Sequence, residues 1–158
     1  MRFTLKHLAG AVAVGATVVA PLAPSAVTSH NDRRCAAQFD AAQRQDMESF
    51  RDFKADRWRA VHDNDAISVD PSGEVAYGID QIMAGAKTHF DRKWAIWSWT
   101  ELSRQLDGCS TAVIVYDAVY DIPSIEYHQR ALTTVTYTYK RGHWLAVLDQ
   151  GTYLEAPS

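Results

Sequence analysis

Few residues in this 158-residue chain have both the type and the surroundings to do chemistry. Asp70 stands first among them. It follows the short apolar run Ala66-Ile67-Ser68-Val69 and opens the turn Asp70-Pro71-Ser72-Gly73. A carboxylate at a strand end, where a pocket could open, loses solvation against apolar walls; its pKa rises and it can shuttle protons. An Asp before Pro is equally a turn former whose side chain bonds its own backbone. Asp117, His128 and Arg130 form a second set. A His beside an Asp inside an apolar enclosure makes a proton-transfer pair, and Asp117 interrupts the apolar run Val113 to Tyr120, where an unpaired charge is costly if buried. The competing reading puts His128 and Arg130 on an exposed sheet face, with Asp117 paired to Arg130 across neighbouring strands. Tyr77, Trp97 and Tyr116, with Arg130, are candidate ligand contacts, because aromatic walls suit small, flat or apolar molecules; aromatics serve cores and interfaces just as well. Asp46, at the edge of a helical stripe, and Asp149, near the end of the last strand, are the remaining acids of note.

Other chemistries lack their signatures. The chain carries no Gly-rich phosphate loop, no Gly-x-Ser-x-Gly and no His-Glu-x-x-His. Cys35 and Cys109 have no nearby His or Cys to complete a metal ligand set. The expected chemistry is therefore acid–base work with no metal and no cofactor. The two cysteines read either as a disulfide, if the chain reaches an oxidising compartment, or as two separate buried thiols.

The elements that must position these residues follow from hydrophobic period. Cys35 to Val61 carries apolar residues at spacings of three to five, which predicts a long helix, bent near Lys54 and ending near His62-Asp63-Asn64-Asp65. A short strand, Ala66 to Val69, and the Asp70 turn come next. A second helix starts at Gly78-Ile79-Asp80, with Asp80 a candidate cap. From Trp94 the period becomes two. Asp107-Gly108 signals a hairpin, and Thr111 to Asp121, Tyr127 to Lys140 and Trp144 to Gln150 read as strands joined by short connections. Helices followed by strands predict an α+β fold with the helices on one face of an antiparallel sheet.

The first residues are of a different kind. Arg2 and Lys6 precede an apolar run from Leu8 to Ala20, followed by small residues at Ala23 and Ser25. This reads as a secretory signal peptide over residues 1–25, with a retained anchor as the alternative; the run is short for a membrane span. Residues 26–34 read as loose, and 35–155 as one domain. A secreted or extracytoplasmic location follows, with no membrane attachment after cleavage. Removal of residues 1–25 takes Arg2 and Lys6 and leaves 14 basic against 19 acidic residues, a balance of −5. That balance, with no basic patch, argues against nucleic acid as a partner.

The order of elements, together with WRAVHDNDAISVDPSG, YGIDQI, GCSTAVIVYD and TYTYKRGHWLAVLDQGT, resembles the nuclear transport factor 2-like superfamily, particularly its SnoaL-like members, over residues 36–153. The resemblance implies a cone in which a curved antiparallel sheet wraps around N-terminal helices and leaves an internal cavity. It also implies a homodimer through the outer face of the sheet. Ketosteroid isomerases of the superfamily carry their base in an Asp-Pro-x-Gly context like that of Asp70. Their oxyanion hole of a Tyr and a protonated Asp would fall near Asp46 and Val135, and neither residue matches. The expected role is binding of a small, largely apolar organic molecule, with isomerase-, cyclase- or lyase-like proton chemistry. The alternative is a non-enzymatic dimeric module whose cavity its own side chains fill. The fold alone does not choose between them.

Overall fold

The computed structural model describes residues 30–157; the signal-peptide reading of residues 1–25 lies outside them. The elements run α1 (His30–Arg51), α2 (Ala55–Ala60), β1 (His62–Val69), β2 (Val75–Tyr77), α3 (Ile79–Gly85), α4 (Lys87–Arg92), β3 (Ile96–Asp107), β4 (Thr111–Ile122), a single 3-10 turn at Pro123–Ile125, β5 (Tyr127–Lys140) and β6 (His143–Glu155). Helix α1 thus begins inside the stretch read as loose. Among the described residues no helix is long and apolar enough to cross a membrane.

The helix expected through Val61 stops at Arg51, because Phe53 takes a left-handed backbone with φ 57°. After the short helix α2, His62 opens a strand rather than closing a helix. Asp80 is not a cap: Gly78 holds that position, and Asp80 accepts a hydrogen bond from Arg59 at 2.7 Å.

The six strands form one curved, unclosed sheet in the order β2-β1-β6-β5-β4-β3, with the helices on its concave side. All pairings are antiparallel except β1 with β6. On β4 the alternation is strict: Ala112, Ile114, Tyr116 and Ala118 are buried and the intervening residues are partly exposed. Phe39 of α1 packs edge-on against Tyr137 and Trp144, with centroids 5.2 and 5.3 Å apart. Burying each such aromatic contributes ~2–3 kcal/mol. A second cluster joins Trp58, Ala66, Ile79, Ile82 and Phe90 and holds α2, α3 and α4 against β1.

One irregularity matters most for the site. Tyr137 pairs with Ala146 but Thr136 pairs with Leu148, so Val147 is an extra residue on β6. The bulge reverses the side-chain alternation. Trp144 and Ala146 face inward before it, and Asp149, opposite buried Val135, faces inward after it.

Cys35 of α1 and Cys109 of the β3–β4 turn are joined in a disulfide, with Cα atoms 5.4 Å apart across 74 residues of sequence. Replacing both with serine is expected to lower the unfolding free energy by ~2–4 kcal/mol, measured by urea denaturation of the oxidised protein and its variant. Gly151 of β6 carries a second local requirement. A Cβ there would lie 2.3 Å from Cγ of Pro71, so Gly151→Ala is expected to cost ~1–3 kcal/mol in the same measurement.

Candidate functional site

Between the helices and the concave face lies a cleft of about 700 Å³. Exposed residues on its lining, Asp70, Glu74, Val75 and Gln81, mark its mouth at the β1–β2 turn and the start of α3. Its walls are largely apolar and aromatic, from Met47, Phe50, Trp58, Trp97 and Val135. Its deep end is not. Asp46, His62, Ser68 and Asp149 meet there, from α1, β1 and β6.

Each of these groups is held by name. Asp46 sits on the inward stripe of α1, in phase with Phe39, Gln43 and Met47, and is only 4% exposed. The Tyr137 hydroxyl donates to Asp46 Oδ2 at 2.5 Å. The His62 ring, 7% exposed, packs against Trp58, and its Nδ1 lies 2.7 Å from the Trp58 carbonyl oxygen. A carbonyl can only accept, so Nδ1 carries a proton, and in the neutral tautomer the lone pair is on Nε2. That Nε2 faces Asp46 Oδ1 at 4.0 Å. Ser68, opposite Asp149 across the parallel pair, donates to Asp149 Oδ1 at 2.7 Å. Burial pushes the Asp149 carboxyl up to about 6 against that hydrogen bond and the nearby His62, with Asp46 and Asp70 adding repulsion. The Tyr137 phenol, fully enclosed and facing Asp46, is driven well above its ordinary value by burial.

The residues singled out from sequence are scattered over the fold. Asp70 is exposed at the mouth, where its side chain accepts the Ser72 backbone N–H at 2.8 Å within its own turn. Trp97 lines the cleft. Tyr116 is fully buried behind α1, away from the cleft lining, and Tyr77 is 62% exposed at the sheet edge. Asp117, His128 and Arg130, considered as a set inside the cavity, are on the convex face instead. The β4–β5 register turns Ala118 and Ala131 inward and so turns Asp117 and Arg130 outward. There Arg130 donates to Asp117 at 2.9 and 2.7 Å and to Glu155 at 2.9 Å. Hydrogen bonding from Arg130 holds the Asp117 carboxyl below its ordinary value. His128 Nδ1 lies 2.6 Å from Asp121. Among the described residues no group of His, Cys, Asp and Glu has the arrangement of a metal site.

No protein-family model matches the chain, and no curated protein sequence matches it. Solved structures do. A hexachlorocyclohexane dehydrochlorinase (LinA, type 2) superimposes with a TM-score of 0.66 at 14% identity, covering 82% of this chain and 93% of that one. A nuclear transport factor 2-like protein of unknown function from Shewanella oneidensis gives 0.63 at 12%, covering 74% and 98%. An uncharacterised protein with a cystatin-like fold from Caulobacter vibrioides gives 0.63 at 15%, covering 78% and 92%. The architecture is α+β of the cystatin-like class. Within it, this chain has the nuclear transport factor 2-like fold.

Proposed function

We propose that this protein binds a small, largely apolar organic molecule in the cleft and moves a proton on it without a cofactor, with His62 as the base. The observation that carries this reading is the convergence of His62, Asp46 and Asp149 at the deep end of an otherwise apolar cleft. His62 Nε2 takes a proton from a ligand carbon. The electron pair of the broken C–H bond moves into the ligand, where it expels a leaving group or enters an adjacent carbonyl. The imidazolium that forms lies beside the Asp46 carboxylate, and Asp149 adds a second negative charge close by. Among largely apolar walls, fixed charges of this kind stabilise the transition state. Tyr137 and Trp58 hold Asp46 and His62 in place and are positioning residues. A dehydrochlorinase of the same fold is a precedent for elimination. Action in an oxidising, extracytoplasmic compartment is part of the proposal, and the Cys35–Cys109 bond supports it.

The test uses 5-nitrobenzisoxazole, a flat apolar probe that opens to a coloured phenolate when a base removes one carbon-bound proton. The protein is expected to accelerate ring opening by ~10²-fold or more over free imidazole at equal concentration. A rate no greater than that of imidazole would overturn the proposal.

A further inference from the structure

A second polar feature lies on the cleft wall, separate from the His62 cluster. Tyr120 of β4 and Gln129 of β5 are directly opposite each other in the sheet, and both line the cleft. Their hydrogen bonds fix what each can offer. His89 of α4, 5% exposed and stacked on Phe50 at 3.9 Å, places Nε2 2.7 Å from the Phe50 carbonyl oxygen. The ring must donate there, and burial lowers its affinity for a second proton. Its Nδ1 is therefore an acceptor, and it takes the Tyr120 hydroxyl proton at 3.0 Å. Tyr120 has no other proton to give, so its oxygen can only accept. Gln129 is constrained in the opposite sense. Its Oε1 receives the Tyr127 hydroxyl at 2.7 Å. Its amide NH₂, with two donors, has no hydrogen-bond partner among the described residues.

The wall thus presents an acceptor and a donor side by side. A group that both donates and accepts complements them, and on an otherwise apolar molecule the smallest such group is a hydroxyl. We infer that the cleft selects an apolar molecule bearing a hydroxyl, with Tyr120 accepting the hydroxyl proton and Gln129 donating to the hydroxyl oxygen. This rests on reading the cleft as a small-molecule site. It adds a chemical class, an alcohol, phenol or enol, and two specificity-determining residues. An ether accepts from Gln129 but gives nothing to Tyr120; a methyl group satisfies neither.

The experiment measures calorimetric binding of 2-naphthol, 2-methoxynaphthalene and 2-methylnaphthalene to the purified protein and to Tyr120→Phe and Gln129→Leu. The protein is expected to prefer 2-naphthol to the methyl analogue by about tenfold or more, as two neutral hydrogen bonds allow. Each substitution should cut that preference to about threefold or less, partly by raising affinity for 2-methylnaphthalene, which no longer leaves a polar group unpaired; circular dichroism and a cooperative urea transition show that each variant is folded. Equal affinity of the wild type for all three would overturn the inference and leave the cleft reading intact. A preference that survives in both variants would likewise overturn it. Absence of binding by any of the three would remove the cleft reading, and this inference with it.

Discussion

Substituting His62 with asparagine is expected to slow ring opening of 5-nitrobenzisoxazole by ~10²–10⁴-fold, the usual contribution of a positioned general base. Asparagine is chosen for its shape. Its amide nitrogen can reproduce the Nδ1–H bond to the Trp58 carbonyl, so the junction between α2 and β1 keeps its fastening. What is lost is Nε2, the atom that faces Asp46. The expected signature is a fall in kcat and in kcat/KM together, with KM little changed, because the lost interaction forms only as the proton moves. Asp46→Asn should reduce the rate less, since it removes the partner of the imidazolium and not the base. A His62→Asn variant that binds the probe and turns it over at the wild-type rate would end the assignment.

Asp149→Asn is expected to make the protein more stable at neutral pH while making it a poorer catalyst. Burial raises the Asp149 carboxyl from its ordinary 3.8 to about 6. The folded chain therefore binds a proton more readily than the unfolded chain between those values. For a raised pKa, the stabilising contribution is fully present below the unfolded value and is lost as pH rises through the folded one. Above pH 7 the ionised group opposes folding by ~1–3 kcal/mol, because each tenfold change in proton affinity is worth about 1.4 kcal/mol. Asparagine carries no charge, and its carbonyl oxygen can still accept from Ser68. Urea denaturation should show the variant ahead by that amount at pH 7.5 and level with the wild type at pH 4. A gap that does not change between the two pH values would refute the burial argument. The rate of probe opening at pH 7.5 should drop by about tenfold, the value of a charge that aids a transition state without receiving the proton. A group that weakens the fold and strengthens the chemistry is a recurrent property of functional sites.

The fold was legible from sequence because its determinants are local. The period-two runs of β4 and β5, the Asp107-Gly108 turn and the apolar stripe of α1 each specify an element, and their order specifies the α+β class. The site was only partly legible. Asp46 stood out because a carboxylate at the edge of an apolar stripe is out of place, and it is indeed turned inward. His62 was hidden by its position. It follows an amphipathic helix and precedes three polar residues, so it reads as a frayed helix end. Tertiary pairing of β1 with β6 draws it into the sheet. Asp149 was hidden by parity. Counting in twos from Trp144 puts it on the outer face, and only the extra residue at Val147 turns it inward. The same counting places Asp117 and Arg130 together without saying on which side of the sheet. The convex side is where they form an ion pair at little desolvation cost. Asp70 had the right neighbours for chemistry and also the right neighbours for a turn, and the structure shows the hydrogen bonds of the turn.

The parallel pairing of β1 with β6 also sets a schedule. Ser68 meets Asp149 across 81 residues of sequence, and Asp46 meets Tyr137 across 91. Contacts that distant close late, because the chain must first lose the entropy of the intervening loop. The hairpins β3–β4 and β4–β5 can form while the polypeptide is still emerging. The acid–base cluster cannot form before β6 docks, since β6 supplies one of its carboxylates and completes the wall behind it. Until that strand docks, the deep end of the cleft stays open to water. The proposed proton transfer would then report the docking of β6, and a probe of it would double as a clock for folding.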